Sequence, residues 1–132
     1  QSTSNATSIA QKAAVEALNG PQEALATMVA EFAWRRDDIY RRVLEIPGVT
    51  TTKPGGAFYI FPNFSAYFGK LSIAPGQTPS QALAAYLLDE AQVAAVPGVE
   101  FGEDACLRFS YATSRERIAT GVSRIQAALE KF

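Results

Sequence analysis

The sequence contains no histidine and a single cysteine, Cys106, among its 132 residues. One cysteine cannot form an internal disulfide. Without histidine, the chain cannot build a Cys/His zinc site, a Ser-His-Asp triad or a Cys-His dyad. We therefore expect no metal site in this chain and none of these classes of nucleophilic catalysis.

The sequence has no large excess of positive or negative charge. It contains twelve Lys and Arg residues and thirteen Asp and Glu residues, for a net charge of -1. A chain without a positive field is a poor partner for nucleic acid. No apolar run approaches the roughly 20 residues that span a bilayer, and the polar residues 1–6 do not resemble a signal peptide. These absences predict a protein that binds neither nucleic acid nor membrane, and they favour a cytoplasmic location.

What the sequence does contain is the balance of one ordinary globular domain, with 48% hydrophobic and 19% charged residues. Helix formers fill residues 7–18 and end at Asn19-Gly20-Pro21, which predicts a helix with a stop signal. The first residue is Gln1 rather than methionine. Because helix-cap chemistry begins so close to it, we expect Gln1 to lie within a longer natural chain.

Periodicity, cap residues and turn residues predict the remaining elements. They are a long helix over 21–47, a hairpin of 49–52 with 57–61, a loop carrying a short helix over 62–76, a helix over 78–90, strands at 93–96 and 106–111, and a C-terminal helix that begins with a capping box at 113–116. This order has no regular βαβ repeat and no pure β layers. It predicts an α+β fold in which helices cover a small sheet.

Arg108 is the strongest candidate for a ligand-binding residue. Its strand alternates apolar residues on one face with Cys106, Arg108 and Ser110 on the other. A guanidinium held by a strand beside small polar neighbours can meet a carboxylate through two parallel hydrogen bonds, which lysine cannot do. Alternatively, Arg108 pairs with a local Asp or Glu, and spacing alone leaves both interpretations open.

No lysine lies in the apolar or cationic surroundings that lower the pKa of an amine and activate it for covalent catalysis. The four lysines are Lys12, Lys53, Lys70 and Lys131. The glycine turns at 54–56 and 97–98 do not match a phosphate-binding loop. We therefore expect each of these lysines to be solvated rather than catalytic, and no phosphate-binding loop within this chain.

Four segments, taken in order, resemble the C-terminal part of class I aminotransferases, the pyridoxal-phosphate enzymes of the aspartate aminotransferase family. They are residues 1–11, Pro54-Gly-Gly-Ala-Phe-Tyr59, Val93-Ala-Ala-Val-Pro-Gly-Val-Glu-Phe-Gly102 and Leu107-Arg-Phe-Ser-Tyr-Ala112. The resemblance implies that residues 1–20 form a connector helix from a large domain that is missing here. It also implies that residues 21–132 form the small domain, with a small mixed or antiparallel sheet covered by helices.

The resemblance also implies roles for particular residues. The arginine of the family's Arg-x-Ser-Tyr-Ala strand, which binds the substrate α-carboxylate, falls on Arg108. Phe58 matches an aromatic position near the mouth of the active site, and Asn5 lies in a segment that approaches the site of the partner subunit. The lysine that forms a Schiff base with pyridoxal phosphate lies upstream of this region in the family. We therefore expect that lysine and the other cofactor ligands outside this chain.

The function that the resemblance implies is transfer of an amino group between an amino acid, aspartate or a similar one, and a 2-oxo acid. The full-length enzyme would use pyridoxal phosphate and act as a homodimer, whereas the 132 residues alone would be inactive. Two alternatives remain open. The chain could be a stand-alone noncatalytic α+β module for binding or oligomerisation, or the small domain of another pyridoxal-phosphate lyase or acyltransferase.

Overall fold

The chain divides into two units, Gln1–Glu31 and Phe32–Phe132. The computed structural model describes residues 4–132, so residues 1–3 of the expected connector and of the first aminotransferase-like segment lie outside the described residues. The first unit contains helix α1 (Ser8–Asn19) and the start of helix α2 (Glu23–Leu44). The Thr7 hydroxyl accepts a hydrogen bond from the N–H of Ala10 and caps α1, where the sequence predicts a helix start. The expected boundary at residue 20 stays a prediction.

Apolar side chains of the first unit are exposed along both of its helical segments. They are Ile9, Val15, Leu18, Leu25, Met28 and Val29. Helix α1 contains no buried residue. A run of exposed apolar side chains of this kind is typical of a surface that contacts another part of a protein.

The second unit is built around a three-stranded antiparallel sheet with the strand order β1-β3-β2. Its elements are β1 (Tyr59–Ile60), a 3-10 helix (Ser65–Lys70), α3 (Pro79–Ala91), β2 (Val96–Pro97), a second 3-10 helix (Gly98–Phe101), β3 (Leu107–Ser110) and α4 (Arg115–Leu129). The α+β fold with a small sheet and packed helices is confirmed.

The core of the second unit lies between one face of the sheet and the helices. It contains Ile39 and Val43 of α2, Leu83 and Leu87 of α3, Ile118, Val122 and Ile125 of α4, and Ile60, Leu107 and Phe109 of the sheet. Because side chains alternate along a strand, Arg108 and Ser110 lie on the face opposite to Leu107 and Phe109. The strand therefore anchors itself in the core and presents Arg108 on the other side.

The predicted hairpin between residues 49–52 and 57–61 is wrong. Strand β1 pairs with β3, with Tyr59 opposite Ser110, and Thr50 forms only an isolated bridge with Asn63. Pairing with β3 buries Ile60 completely beside Leu107 in the same core cluster. The Val-Thr-Thr-Thr segment offers one apolar side chain for the core, so the partner with the larger apolar face forms the strand pair.

Two further boundaries differ from the sequence prediction. The strand expected at 93–96 is displaced to Val96–Pro97, and the residues that follow form a 3-10 helix. Helix α4 is capped by Ser114 rather than Thr113, because the Ser114 hydroxyl accepts from the N–H of Arg117. Helix α3 agrees with the helix predicted over 78–90, and it begins with a capping box formed by Thr78 and Gln81. Within residues 4–132, no helix is long and apolar enough to cross a membrane.

Candidate functional site

Arg108 occupies the middle strand of the sheet, opposite Val96 of β2. Leu107 and Phe109 on either side of it are buried in the core. The Arg108 side chain itself is half-buried. A strand that is hydrogen-bonded on both edges and anchored by its neighbours restricts the motion of this cation.

Two aromatic rings contact the guanidinium of Arg108. The guanidinium carbon lies 4.3 Å from the centroid of the Tyr59 ring and 4.2 Å from the centroid of the Phe101 ring. Tyr59 belongs to β1 and Phe101 ends the 3-10 helix that follows β2, so the rings come from elements on the two sides of β3. Both rings are within cation–π distance of the guanidinium, and a contact of this kind does not use its N–H donors.

The surroundings of Arg108 are aromatic. The rings of Phe58 and Tyr59 have centroids 4.4 Å apart, and Phe61 meets Phe101 edge-on at 6.0 Å. Tyr59 shares the face of Arg108 because it lies directly opposite Ser110. This face of the sheet therefore places one cation among aromatic side chains.

Among residues 4–132, the guanidinium of Arg108 has no carboxylate within ion-pairing distance and donates no hydrogen bond. The arginines of α2 behave differently, since Asp38 accepts from both Arg41 and Arg42 at 2.8 and 2.7 Å. Pairing of Arg108 with a local Asp or Glu, the alternative left open by the sequence, is thus not observed in the described part of the chain. A half-buried guanidinium with free in-plane donors can bind a carboxylate through two hydrogen bonds.

Tyr111 fixes the turn that precedes β1. Its hydroxyl donates to the carbonyl oxygen of Ala57 at 2.9 Å, and its backbone N–H donates to the carbonyl oxygen of Phe58 at 2.9 Å. Ala57 has a φ of 58°, a left-handed conformation that is unfavourable for a residue with a Cβ. Burial raises the pKa of the Tyr111 hydroxyl, which therefore stays protonated and can donate this bond at neutral pH.

Replacement of Tyr111 by phenylalanine should lower the free energy of unfolding by about 1 kcal/mol, because the Ala57 carbonyl loses its donor. The measurement is equilibrium denaturation of the purified protein by urea. Tyr40→Phe is the matched control, since the half-buried Tyr40 hydroxyl forms no hydrogen bond with the described residues. Equal stability of the two variants would show that the Tyr111 hydroxyl does not hold the turn.

Asp104 and Ser80 tie the loop that carries Phe101 to the start of α3. The fully buried Ser80 donates from its hydroxyl to Oδ1 of Asp104 at 2.5 Å and from its backbone N–H at 3.2 Å. The Ser80 hydroxyl in turn accepts from the N–H of Val99 at 3.3 Å. This network connects α3, the 3-10 helix ending at Phe101 and the segment that enters β3.

The same network predicts a pH dependence of stability. Desolvation raises the pKa of Asp104, but hydrogen bonds from Ser80 and Thr78 outweigh it and hold the pKa below its ordinary 3.8. A lowered folded-state pKa stabilises the fold above the unfolded-state value, and the contribution disappears as the pH falls through the folded-state pKa. We therefore expect acid to destabilise the wild type more than Asp104→Asn, measured by urea denaturation at neutral pH and below pH 3.8.

Asp89→Asn is the control for this comparison, because Asp89 is exposed on α3. This variant should keep the acid sensitivity of the wild type. If acid destabilised Asp104→Asn as much as Asp89→Asn, the role given to Asp104 would be contradicted.

Phe58, predicted from the resemblance, lies beside the Arg108 site and is 41% exposed. Its ring contacts the ring of Tyr59, which in turn contacts Arg108. Within the described residues, Phe58 itself makes no ring contact with Arg108. Asn5 is exposed in the segment before α1 of the first unit. The role of each residue toward substrate or partner subunit stays a prediction.

A lysine amine that forms a Schiff base with pyridoxal phosphate needs apolar or cationic surroundings. All four lysines of this chain are exposed: Lys12, Lys53, Lys70 and Lys131. Lys53 pairs with Asp37 at 3.1 Å, and Lys131 pairs with Glu90 at 2.7 Å. These exposed lysines do not fit such surroundings, and a cofactor lysine outside this chain stays a prediction.

A cavity of about 750 Å³ lies elsewhere in the second unit, on the core side of β3. Its lining includes Phe109, Ile118 and Val122, and Arg108 is not part of it. Its lining also contains Glu116, Arg117 and Arg124 of α4, so the cavity combines core side chains with charged ones.

From the sequence, no role was assigned to Tyr59 or to the loop at 99–101. The stacking of Tyr59 and Phe101 on Arg108 was missed, as was the Ser80–Asp104 network. Side-chain alternation could have placed Tyr59 on the same sheet face as Arg108, but only if the pairing of β1 with β3 were known. No local pattern indicates the position of Phe101.

The comparisons with known proteins agree on one family. The family model described as "Aminotransferase class I and II" matches residues 1–125. A bifunctional aspartate aminotransferase and glutamate/aspartate-prephenate aminotransferase of Petunia hybrida is 47% identical over 98% of this chain and 28% of its own length. An aspartate aminotransferase of Geobacillus stearothermophilus is 46% identical over 98% of this chain and 32% of its own length.

Solved structures give the same result. The aspartate aminotransferase from Rhizobium meliloti has a TM-score of 0.86 and 39% identity, over 98% of this chain and 33% of that one. The alanine aminotransferase from Pyrococcus furiosus has a TM-score of 0.78 and 33% identity, over 93% of this chain and 30% of that one. The chain thus spans about a third of the length of these proteins or less. With the family model covering almost all of its residues, the chain belongs to the class I and II aminotransferases.

Proposed function

We propose that these residues are the C-terminal small-domain portion of a longer pyridoxal-phosphate-dependent aminotransferase, in which Arg108 binds the α-carboxylate of the substrate. The observation that carries this proposal is the guanidinium of Arg108, which is half-buried and held by two aromatic rings, and has no acidic partner in the described part of the chain. A cation in this state is prepared for an anionic ligand. Amino acids and 2-oxo acids share the carboxylate that such a cation recognises.

The part that Arg108 plays is orientation. Two parallel hydrogen bonds from a planar guanidinium fix both the position and the plane of a carboxylate. Both substrates of an amino transfer would then enter in the same orientation, which lowers the entropic cost of reaching the reactive geometry. The cofactor supplies the chemistry of amino transfer, and residues outside this chain would hold it.

We propose aspartate or a similar amino acid as a substrate, with a 2-oxo acid as acceptor. The relatives that are 46–47% identical carry names that include aspartate aminotransferase. The alanine aminotransferase with the same fold is 33% identical to this chain. The names at higher identity therefore favour aspartate.

The missing large domain and a partner subunit of a homodimer are further proposed contacts. The exposed apolar side chains of the first unit support a contact with another part of the protein, as does the small share of its relatives that the chain covers. Asn5 would approach the site of the partner subunit. The cytoplasm remains the proposed location.

The two alternatives have less support. The relatives and solved structures named above are aminotransferases, which favours that reaction over a lyase or an acyltransferase. A stand-alone module for binding or oligomerisation would share this fold, but the chain matches only about a third or less of the length of these relatives, which favours part of a longer enzyme.

The test is the intact mass of the natural, untagged protein, together with its absorbance in the range of bound pyridoxal phosphate and its transamination of L-aspartate with 2-oxoglutarate. We expect a mass well above 14.2 kDa, a cofactor band and activity. A mass equal to that of this chain, without a cofactor band, would overturn the proposal and favour the binding module. A cofactor band with lyase or acyl-transfer activity instead would favour the other enzymes.

A further inference from the structure

We propose that Phe101 is a positioning residue that, together with Tyr59, forms an aromatic clamp on Arg108 and holds its guanidinium in the plane required by the carboxylate. This inference rests on the proposed function, because it assumes that Arg108 binds a carboxylate. It adds a residue from outside the Arg108 strand to the substrate site.

The geometry of the clamp follows from the sheet. Tyr59 reaches Arg108 from the β1 side and Phe101 reaches it from the β2 side, at nearly equal distances of 4.3 and 4.2 Å. Rings on both sides limit rotation of the guanidinium out of its plane. Its N–H donors lie at the edges, where a carboxylate approaches.

The clamp also explains how Arg108 remains half-buried without a counter-ion among the described residues. Partial burial removes water from a cation and disfavours its charge. The negative faces of two aromatic rings compensate for part of that loss without using the N–H donors. A carboxylate partner would compensate as well, but it would compete with the substrate.

Phe101 is held in place although its side chain is 46% exposed. It ends the 3-10 helix Gly98–Phe101, and its ring meets the edge of Phe61 at 6.0 Å. The hydroxyl of Ser80 accepts from the N–H of Val99 and donates to Asp104, so the loop is connected to α3 before and after Phe101. An exposed phenylalanine on a loop fixed in this way has a defined position over Arg108.

The experiment uses the full-length holoenzyme with the substitution Phe101→Leu, which keeps an apolar side chain but removes the aromatic face. We expect the KM for L-aspartate and for 2-oxoglutarate, and the Kd for the unreactive dicarboxylate succinate, to rise about five- to tenfold with a small change in kcat. Phe101→Tyr keeps the aromatic face and should restore values close to those of the wild type.

Phe68→Leu is the control for stability. Phe68 is a half-buried aromatic residue packed against the core, and it makes no ring contact with Arg108 among the described residues. We expect this variant to unfold more easily and to keep the Kd for succinate. An equal rise of the Kd in Phe68→Leu and Phe101→Leu would overturn the clamp, because general destabilisation would then explain both.

A double-mutant cycle with Arg108→Met separates this inference from the proposed function. If Phe101 acts through Arg108, Phe101→Leu has no further effect on the Kd for succinate in the Arg108→Met enzyme. An effect of the same size in both backgrounds would overturn the clamp. A higher Kd in Arg108→Met together with an unchanged Kd in Phe101→Leu would also overturn the clamp. It would leave the proposed function intact. An unchanged Kd in Arg108→Met would overturn the proposed role of Arg108 itself.

Discussion

Replacing Arg108 by lysine in the full-length aminotransferase is expected to raise the KM for amino acids and 2-oxo acids by about one to two orders of magnitude. Lysine keeps the positive charge but cannot donate two parallel hydrogen bonds to one carboxylate. It also lacks the flat faces that Tyr59 and Phe101 contact. Both losses weaken the binding of the substrate carboxylate. Steady-state kinetics with L-aspartate and 2-oxoglutarate provide the measurement.

The control for this substitution is Arg124→Lys. Arg124 is exposed on α4, away from the sheet face that carries Arg108, and the same chemical change there should leave both KM values unchanged. The thermal stability of both variants should remain close to that of the wild type, because Arg108 makes no ion pair with the described residues. Wild-type kinetics in Arg108→Lys would contradict carboxylate binding at this position.

Replacing Gly98 by alanine is expected to lower the free energy of unfolding by about 3 kcal/mol or more. A Cβ at this position would overlap the carbonyl oxygens of Glu103 and Cys106. Relief of the overlap would break the bond from the Gly98 N–H to the Cys106 carbonyl at 2.9 Å and the bond from the Glu103 N–H to the Gly98 carbonyl at 3.1 Å. The obstacle is backbone on both sides, so no side-chain rotation can remove it.

Gly121→Ala is the matched comparison for Gly98→Ala. Gly121 lies within α4, and an added Cβ there would meet no atom within 4 Å. Alanine is favoured over glycine in a helix by about 1 kcal/mol, so this variant should be more stable than the wild type. Urea denaturation of both variants measures the two changes, and a Gly98→Ala protein as stable as the wild type would refute the packing described for this loop.

The Gly98 variant also bears on the site, because the loop that Gly98 begins carries Phe101 to Arg108. A shift of this loop would withdraw one ring of the proposed clamp. We expect any folded Gly98→Ala enzyme to bind succinate more weakly than Gly121→Ala does.

Helix starts were the features best predicted from the sequence. Thr7 caps α1, and Thr78 with Gln81 caps α3, as their cap chemistry indicated. The alternation of Leu107, Arg108 and Phe109 also predicted which side chain faces away from the core. Each of these signals depends on residues within one or two turns of chain, where the backbone itself sets the spacing.

Strand pairing was predicted less well. The turn residues 54–56 suggested a local hairpin, whereas β1 pairs with the distant β3. The choice between two possible partners depends on the apolar area that each pairing buries. The cap of α4 shows a smaller version of the same problem, because Thr113 and Ser114 are both good caps and the packing of the helix selects Ser114.

The sequence by itself determined the helices, the small sheet and Arg108 as the cation to consider, because caps, periodicity and alternation are local properties of the chain. Only the tertiary structure decided what surrounds Arg108. Tyr59 arrives through strand pairing and Phe101 through a loop tied to α3, and both lie at Arg108 only once the core has formed. Contacts of this kind depend on how segments that are distant in the sequence bury their apolar faces together. Local sequence patterns do not predict such contacts.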